Sequence, residues 1–499
     1  MRLFFTPLLL LLMTFPLWSQ SGEHGDCGYR GKSSWLEWYQ RNSGLFETPE
    51  NGDTAWLYVP VTLHLVGTSS GSGHFPLEQA LTAMCRLNQQ FAAAYLRFYL
   101  MPSDPVRYYN NSNWYTHDFS GGFQMLNSVV SQLRNRLNVF VVGDPAGNCG
   151  YAWMDAVVMR NSCSGPDNTT WAHEVGHHFS LPHTFLGWEG STWNYANPAP
   201  STIGGTPVEL VDGSNCYAAG DGFCDTPPDY LAYRWACDTA RRSTVPQIDP
   251  AGVSFRSDGS LIMSYAYDRC ASRFSPEQIA AMRANLRTEH KSYLQLTTPL
   301  PELPDDAQVE LVSPLDSTQL VQYNHIELKW NKLPGARYYV VEISRTPTFS
   351  QRFFSETLID ADHIVITKPM PNNWTLFWRV RAYSNWDLCQ PHDQAFVGSF
   401  RTQNLSATNE LERQVAITLK PNPTSLGQPA QFIVQLESAL DIVLTIHDAA
   451  GRLCWQQDVR LYPGENTLSL PVDRLATGVY SVAMRNELGI IIRRLVVGE

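Results

Sequence analysis

The stretch Trp171–His183, WAHEVGHHFSLPH, decides how the first half of this chain is read. It places four of the 13 histidines of a 499-residue chain within eleven positions. His173 and His177 stand four residues apart, so on a helix both leave the same face one turn apart. Two imidazoles in that relation can bind one metal ion, with Glu174 beside the ion rather than on it. A catalytic zinc takes three protein ligands and keeps a fourth position for water. His183 can be the third only if the helix stops, because in a continued helix it would lie about 9 Å beyond His177. Pro182 supplies the break and moves Leu181 out of the helical region. His178 points about 100° away from His177 and is read as an exposed or supporting histidine rather than a ligand.

Outward from this stretch the pattern is that of an α/β unit. WLYVPVTLHLVG, Trp56 to Gly67, is a buried-strand run, and His64 within it reads as a strand residue. Leu77, Leu81, Met84, Phe91 and Tyr95 recur at helical spacing, and a second helix is expected near Phe123 to Arg136. LNVFVVGD and AVVMRNSC (Ala156–Cys163) read as further strands. Strands alternating with helices indicate α/β architecture. From Gly187 to Gly259 the chain is rich in Gly, Pro, Asn and Asp, and so long an irregular reach is functional or held by disulfides. Regularity returns at FSPEQIAAMRANLRTEH, with Ser275 as N-cap, Pro276 at the first helical position and Gln278 at the third. A proline-rich linker over 298–308 leads into two segments of short strands, 309–403 and 413–499.

HEVGHHFSLPH fits the metzincin pattern HExxHxxGxxH with Ser180 in the glycine position. With LPHTF, GDGFCDTPPD (Gly220–Asp229) and LIMSYAYDRCASRFSPEQIAAM (Leu261–Met282), the region from about 56 to 295 resembles the pappalysin family of metzincin zinc proteases. The resemblance implies zinc on His173, His177 and His183, with Glu174 as general base. It implies Met263 as the methionine turn beneath the site and Tyr265 as an aid at the oxyanion. Asp225 and Thr226 match a stretch associated with calcium. A serine forced into the left-handed turn that glycine tolerates is strained by about 1–2 kcal/mol, which bears on whether His183 reaches the ion. Trp330, Tyr339 and Trp378 make 309–403 look like a fibronectin type III domain. LKPNPTSLGQ, the DAAGR turn (Asp448–Arg452), LPVDRLATGVYSVAM and IIIRRLVV resemble the sorting domain of the type IX secretion pathway, whose machinery would then be a partner.

Arg2 followed by an apolar run to Leu17 and then Ser19 and Ser21 is a signal peptide pattern over 1–20, too short for a membrane span. Export makes the ten cysteines disulfide candidates. Cys149 and Cys163, Cys216 and Cys224, and Cys237 and Cys270 are neighbours in sequence, which suggests pairs without fixing them. Cys27 falls in a pro-segment over 21–55; it is either a structural disulfide partner or, as in metzincin zymogens, a thiolate that blocks the open zinc position. A net charge of −11 argues against a nucleic-acid partner. The expected fold is a metzincin-like α/β catalytic domain over 56–297, with a twisted mixed sheet, helices and an irregular C-terminal subdomain, followed by two all-β sandwich domains. The expected function is secreted zinc endopeptidase acting on proteins or peptides; the competing class is an adhesin with an inactive protease-like domain.

Overall fold

The computed structural model describes residues 31–304, 308–389, 395–403, 411–412, 414–486 and 488–498. The expected signal peptide and Cys27 lie outside the described residues. Two compact units result. The first comprises, among described residues, 31–304, 334–339 and 382–389.

Its centre is a six-stranded sheet. The strands are β1 (Leu57–Gly67), β2 (Leu96–Leu100), β3 (Val106–Asn110), β4 (Leu137–Val142), β5 (Gly150–Trp153) and β6 (Ala156–Arg160). The order runs β2-β1-β4-β6-β5, with β3 beside the far half of β1. All pairs are parallel except β5 against β6. β1 is buried at every position after Leu57, as a parallel strand covered on both faces must be, and for that reason it reads as an unbroken apolar run. His64 is part of that run. Its Nε2 meets Asn138 Oδ1 at 3.0 Å, and burial presses the imidazole down to about 3, so it stays neutral in the core.

Five helices matter to the site: α1 (Ser34–Asn42), α2 (Leu77–Phe91), α3 (Phe119–Val130), α4 (Thr170–His178) and α5 (Pro276–Thr288). The second predicted helix is displaced, starting at Phe119 and stopping at Val130 rather than spanning Phe123 to Arg136. Asp118 sets the start by accepting the Gly121 amide at 2.7 Å, and the paired glycines that weaken the helical signal are there for packing. A Cβ on Gly122 would come within 2.1 Å of the Tyr151 hydroxyl. α5 begins as expected, with the reciprocal Ser275–Gln278 capping box and Pro276 at the first position.

The regular structure of residues 187–259 amounts to a 3-10 turn, Cys216–Ala218, a few isolated bridges and two pairs of two-residue strands, Thr202–Ile203 with Thr206–Pro207 and Gln247–Ile248 with Ser254–Phe255. Their order comes from a core of Phe185, Trp188, Tyr230, Leu231, Trp235 and Tyr265 and from cross-links. Cys149–Cys163, Cys216–Cys224 and Cys237–Cys270 are bonded as the sequence neighbours suggest. Cys85–Cys389, 304 positions apart, has no local signal in sequence.

The second unit consists of β sheets. A three-stranded sheet (Leu311–Ser313, Ile326–Trp330, His363–Ile366) and a five-stranded one that includes Thr375–Tyr383 precede a second such pair. In the last pair, Phe432 and Val434 from the three-stranded sheet share one core with Leu444, Tyr480 and Ile491 from the five-stranded sheet.

Candidate metal centre

α4 carries the opening motif and is buried from Trp171 to His178. The Asp268 carboxylate fixes its start, accepting from the Thr169 amide (3.0 Å) and hydroxyl (2.7 Å). Gly176, a weak helix former, is explained by a close approach from below. A Cβ there would lie 2.5 Å from Met263 Sδ, so the expected methionine turn presses directly on the helix.

The helix ends as a return of His183 toward His173 and His177 requires. The Leu181 amide bonds to Gly176 O (3.0 Å) and the Ser180 amide to His177 O (2.8 Å), the two bonds of a Schellman closure. Ser180 adopts φ 69°, the left-handed geometry usually taken by glycine. Its hydroxyl accepts from Asn285 Nδ2 of α5 at 3.2 Å, a partner that glycine could not use. The serine thus does not prevent the turn, and the chain folds back.

His173, His177 and His183 converge. Their candidate ligand atoms all lie within 4.8 Å of one another. His177 Nε2 is 3.1 Å from His173 Nε2 and 3.2 Å from His183 Nε2. Every Nδ1 faces an oxygen: Ile262 O for His173 (2.8 Å), Leu181 O for His177 (2.7 Å) and Glu189 Oε1 for His183 (3.2 Å). That arrangement assigns the Nδ1–H tautomer to all three rings. Three Nε2 lone pairs then face one another, an arrangement that repels without a cation between them. Burial holds His173 down at about 4 and His177 and His183 well below the ordinary 6.5, so the rings are neutral donors. Tetrahedral zinc with nitrogen ligands at about 2.0–2.1 Å needs nitrogens spaced much as these are, and the donor set fits zinc.

Around the triad, Glu174 is 1% exposed and lies against Gly150 of β5, where a Cβ would fall 2.7 Å from its Cγ. The Tyr265 ring stands 4.9 Å from that of His183 and 5.9 Å from that of His173. His178 points away from the triad but is buried, not exposed, with its Nε2 3.3 Å from the Tyr293 hydroxyl.

Asp225 and Thr226, expected together, face different partners. Asp225 serves the start of α5, accepting from the Ser275 hydroxyl (2.6 Å) and the Glu277 amide (2.7 Å). Thr226 donates to Asp221 at 2.9 Å. Burial pushes Asp221 up to about 7.

Two carboxylates escaped the sequence reading. Asp229 Oδ2 accepts from Thr184 (2.8 Å) and Ser264 (2.7 Å), sewing the residue after His183 to the residue after Met263. Glu189 is the second, at His183. Asp229 closes the GDGFCDTPPD stretch, so the motif marked the place but not the side chain.

Residues 421–498 match the family described as Secretion system C-terminal sorting domain. An extracellular metalloprotease of Podospora anserina is 26% identical over 246 residues, 44% of this chain and 70% of the relative. One of Colletotrichum graminicola is 23% identical over 293 residues, 52% of this chain and 90% of the relative. A promirolysin structure from Tannerella forsythia overlaps 55% of this chain and 100% of its own at 19% identity, with a TM-score of 0.36. The relatives support a metalloprotease. The protein thus carries a secretion system C-terminal sorting domain over residues 421–498, is routed by type IX secretion to the cell surface or exterior, and is similar over about half its length to extracellular metalloproteases.

Proposed function

We propose that the protein is a secreted zinc-dependent endopeptidase with a metzincin-like catalytic unit. The observation that carries the reading is the closure of His183 onto His173 and His177 with all three Nε2 lone pairs converging. When bound there, zinc supplies Lewis-acid chemistry, lowering the pKa of a water toward about 7 and polarising a carbonyl. Glu174 takes the proton of the attacking water and delivers it to the amine as the C–N bond breaks. Tyr265, beside His173 and His183, donates to the developing oxyanion. Met263 is the floor under α4.

Peptide substrates are favoured by the setting of Glu174. Among the described residues β5 pairs on one side only, and its first residue, Gly150, touches Glu174. An extended peptide can add to that edge through main-chain hydrogen bonds, which brings a backbone carbonyl toward the base. Gly150→Ala is expected to displace the Glu174 carboxylate and lower kcat/KM about 10²-fold, as a misplacement near 1 Å does, with zinc content unchanged. A loss of zinc together with activity would count against this role for Gly150.

The reading includes a precursor with signal peptide 1–20 and pro-segment 21–55, and a fibronectin type III-like module at 309–403. Calcium at Asp225 and Thr226 rests on family resemblance alone. Nothing in the triad or at Glu174 favours the inactive-adhesin alternative. The test is metal removal: chelation should abolish casein cleavage and one equivalent of zinc per chain should restore it. Cleavage that survives complete removal of metal would sink the proposal.

A further inference from the structure

The three histidines are not held alike. His173 and His177 donate their Nδ1–H groups to main-chain carbonyls, of Ile262 and Leu181, which no substitution removes. His183 donates to a side chain, Glu189 Oε1 at 3.2 Å. It is also the histidine that arrives on a loop, beyond the end of α4. The other oxygen of the carboxylate, Oε2, accepts the Gly187 amide at 2.8 Å. Glu189 therefore closes the loop from 183 to 189 on itself and aims its first residue with the same group. His183 is 1% exposed, while the Glu189 side chain keeps 18% of its surface. The carboxylate thus reaches the buried ring from the wet rim of the site.

We propose that Glu189 is a positioning residue for the metal: it fixes the Nδ1–H tautomer and ring plane of His183 and, as an anion, strengthens Nε2 as a donor. A carboxylate behind a ligating imidazole has this effect generally, and its loss weakens metal affinity about 10–100-fold. The inference rests on the zinc reading of the triad. It adds that the grip on the ion is set by one replaceable side chain on the rim, whereas the partners of the two helix-borne histidines cannot be altered by substitution.

The experiment compares the full-length wild type with Glu189→Gln and Glu189→Ala. Zinc dissociation constants are measured by competition with a chromophoric chelator, alongside the visible spectrum of the cobalt-substituted protein and the thermal midpoint of the metal-free chain. Glu189→Ala should weaken zinc about 10–100-fold and alter the cobalt bands. Glu189→Gln, which keeps an acceptor but not the charge, should recover part of the affinity. Both should leave the metal-free midpoint nearly unchanged. Unaltered affinity in both variants overturns the proposal, and so does a lowered metal-free midpoint with unaltered affinity, the mark of a structural staple alone. If Glu189→Ala does not fold, an unchanged constant for Glu189→Gln overturns it. A wild type that binds no zinc overturns the protease reading instead.

Discussion

Glu174→Ala should leave one zinc per chain and reduce protein cleavage by about 10²–10⁴-fold, the range that a positioned acid–base group supplies. The split between binding and turnover follows from geometry. The three imidazoles converge through their own Nε2 atoms, and their Nδ1 atoms are oriented by Ile262, Leu181 and Glu189. Glu174 sits between the two helix-borne histidines on α4, buried and pressed against Gly150 at the start of the edge strand. Truncation there removes the proton carrier and opens a small space without disturbing the ligands. Zinc content by elemental analysis and casein cleavage, measured side by side, check both halves. Unimpaired cleavage would show that the proton leaves by another route, and loss of zinc would show that Glu174 holds the site together.

Asp53→Ala should destabilise the first unit by about 3–5 kcal/mol, because it leaves a buried cation without its partner. Arg283 is 0% exposed. Its Nε donates to Asp53 Oδ2 at 3.0 Å and its Nη2 faces Asp53 Oδ1 at 2.7 Å, while Nη1 and Nη2 also donate to the carbonyls of Ala94 (2.7 Å) and Ala55 (2.9 Å). Arg287 donates to both oxygens as well, from Nη1 to Oδ2 and from Nη2 to Oδ1 at 2.8 Å. The Arg287 hydrogen bonds, opposed by burial and joined by Arg283, hold the Asp53 carboxyl down at about 2 against its ordinary 3.8. A lowered folded value means that the clamp contributes fully above 3.8 and is lost as the pH falls through about 2. Denaturant titration of the variant checks the size of the effect. Asp53→Ala combined with Arg283→Met should recover part of the loss, since an apolar replacement of both partners avoids the stranded charge. An Asp53→Ala midpoint equal to the wild type would show that Arg283 is solvated after all. Removal of residues 21–55 as a block would strand Arg283 in the same way.

The parts legible in sequence share one property: their signal lies within a short window. The i and i+4 histidines, the helix-breaking Pro182, the Ser275–Gln278 capping box and the alternating strands of the sorting tail are all local patterns. The convergence of His183 on His173 and His177 was legible because its constraint, a break within six residues, is local too. What escaped depends on closures across the fold. Asp229 matters only once Thr184 and Ser264 have come to it from 45 and 35 positions away. Asp53 acquires its role from Arg283, 230 positions on, and Cys85 from Cys389. α3 was misplaced for a related reason. Gly121 and Gly122 weaken its first turn in sequence, and the need for Gly122 appears only when the Tyr151 hydroxyl is seen against it. Ser180 shows the same limit in miniature: strain was foreseeable from residue type, but its hydrogen bond from Asn285 was not.

The carbonyl that orients His173 belongs to Ile262, 89 positions later in the chain. Between the two lie the whole irregular reach and the Cys216–Cys224 bond, and the Cys237–Cys270 bond brackets Ile262 itself. A nascent or misfolded chain therefore presents two adjacent histidines on a short helix but not an oriented set of three. Tight capture of the ion becomes a certificate of completed folding, issued only after the most distant segments of the unit have met. On the proposed protease reading, assembly and competence are coupled, and an incompletely folded copy is expected to be inert toward the proteins around it.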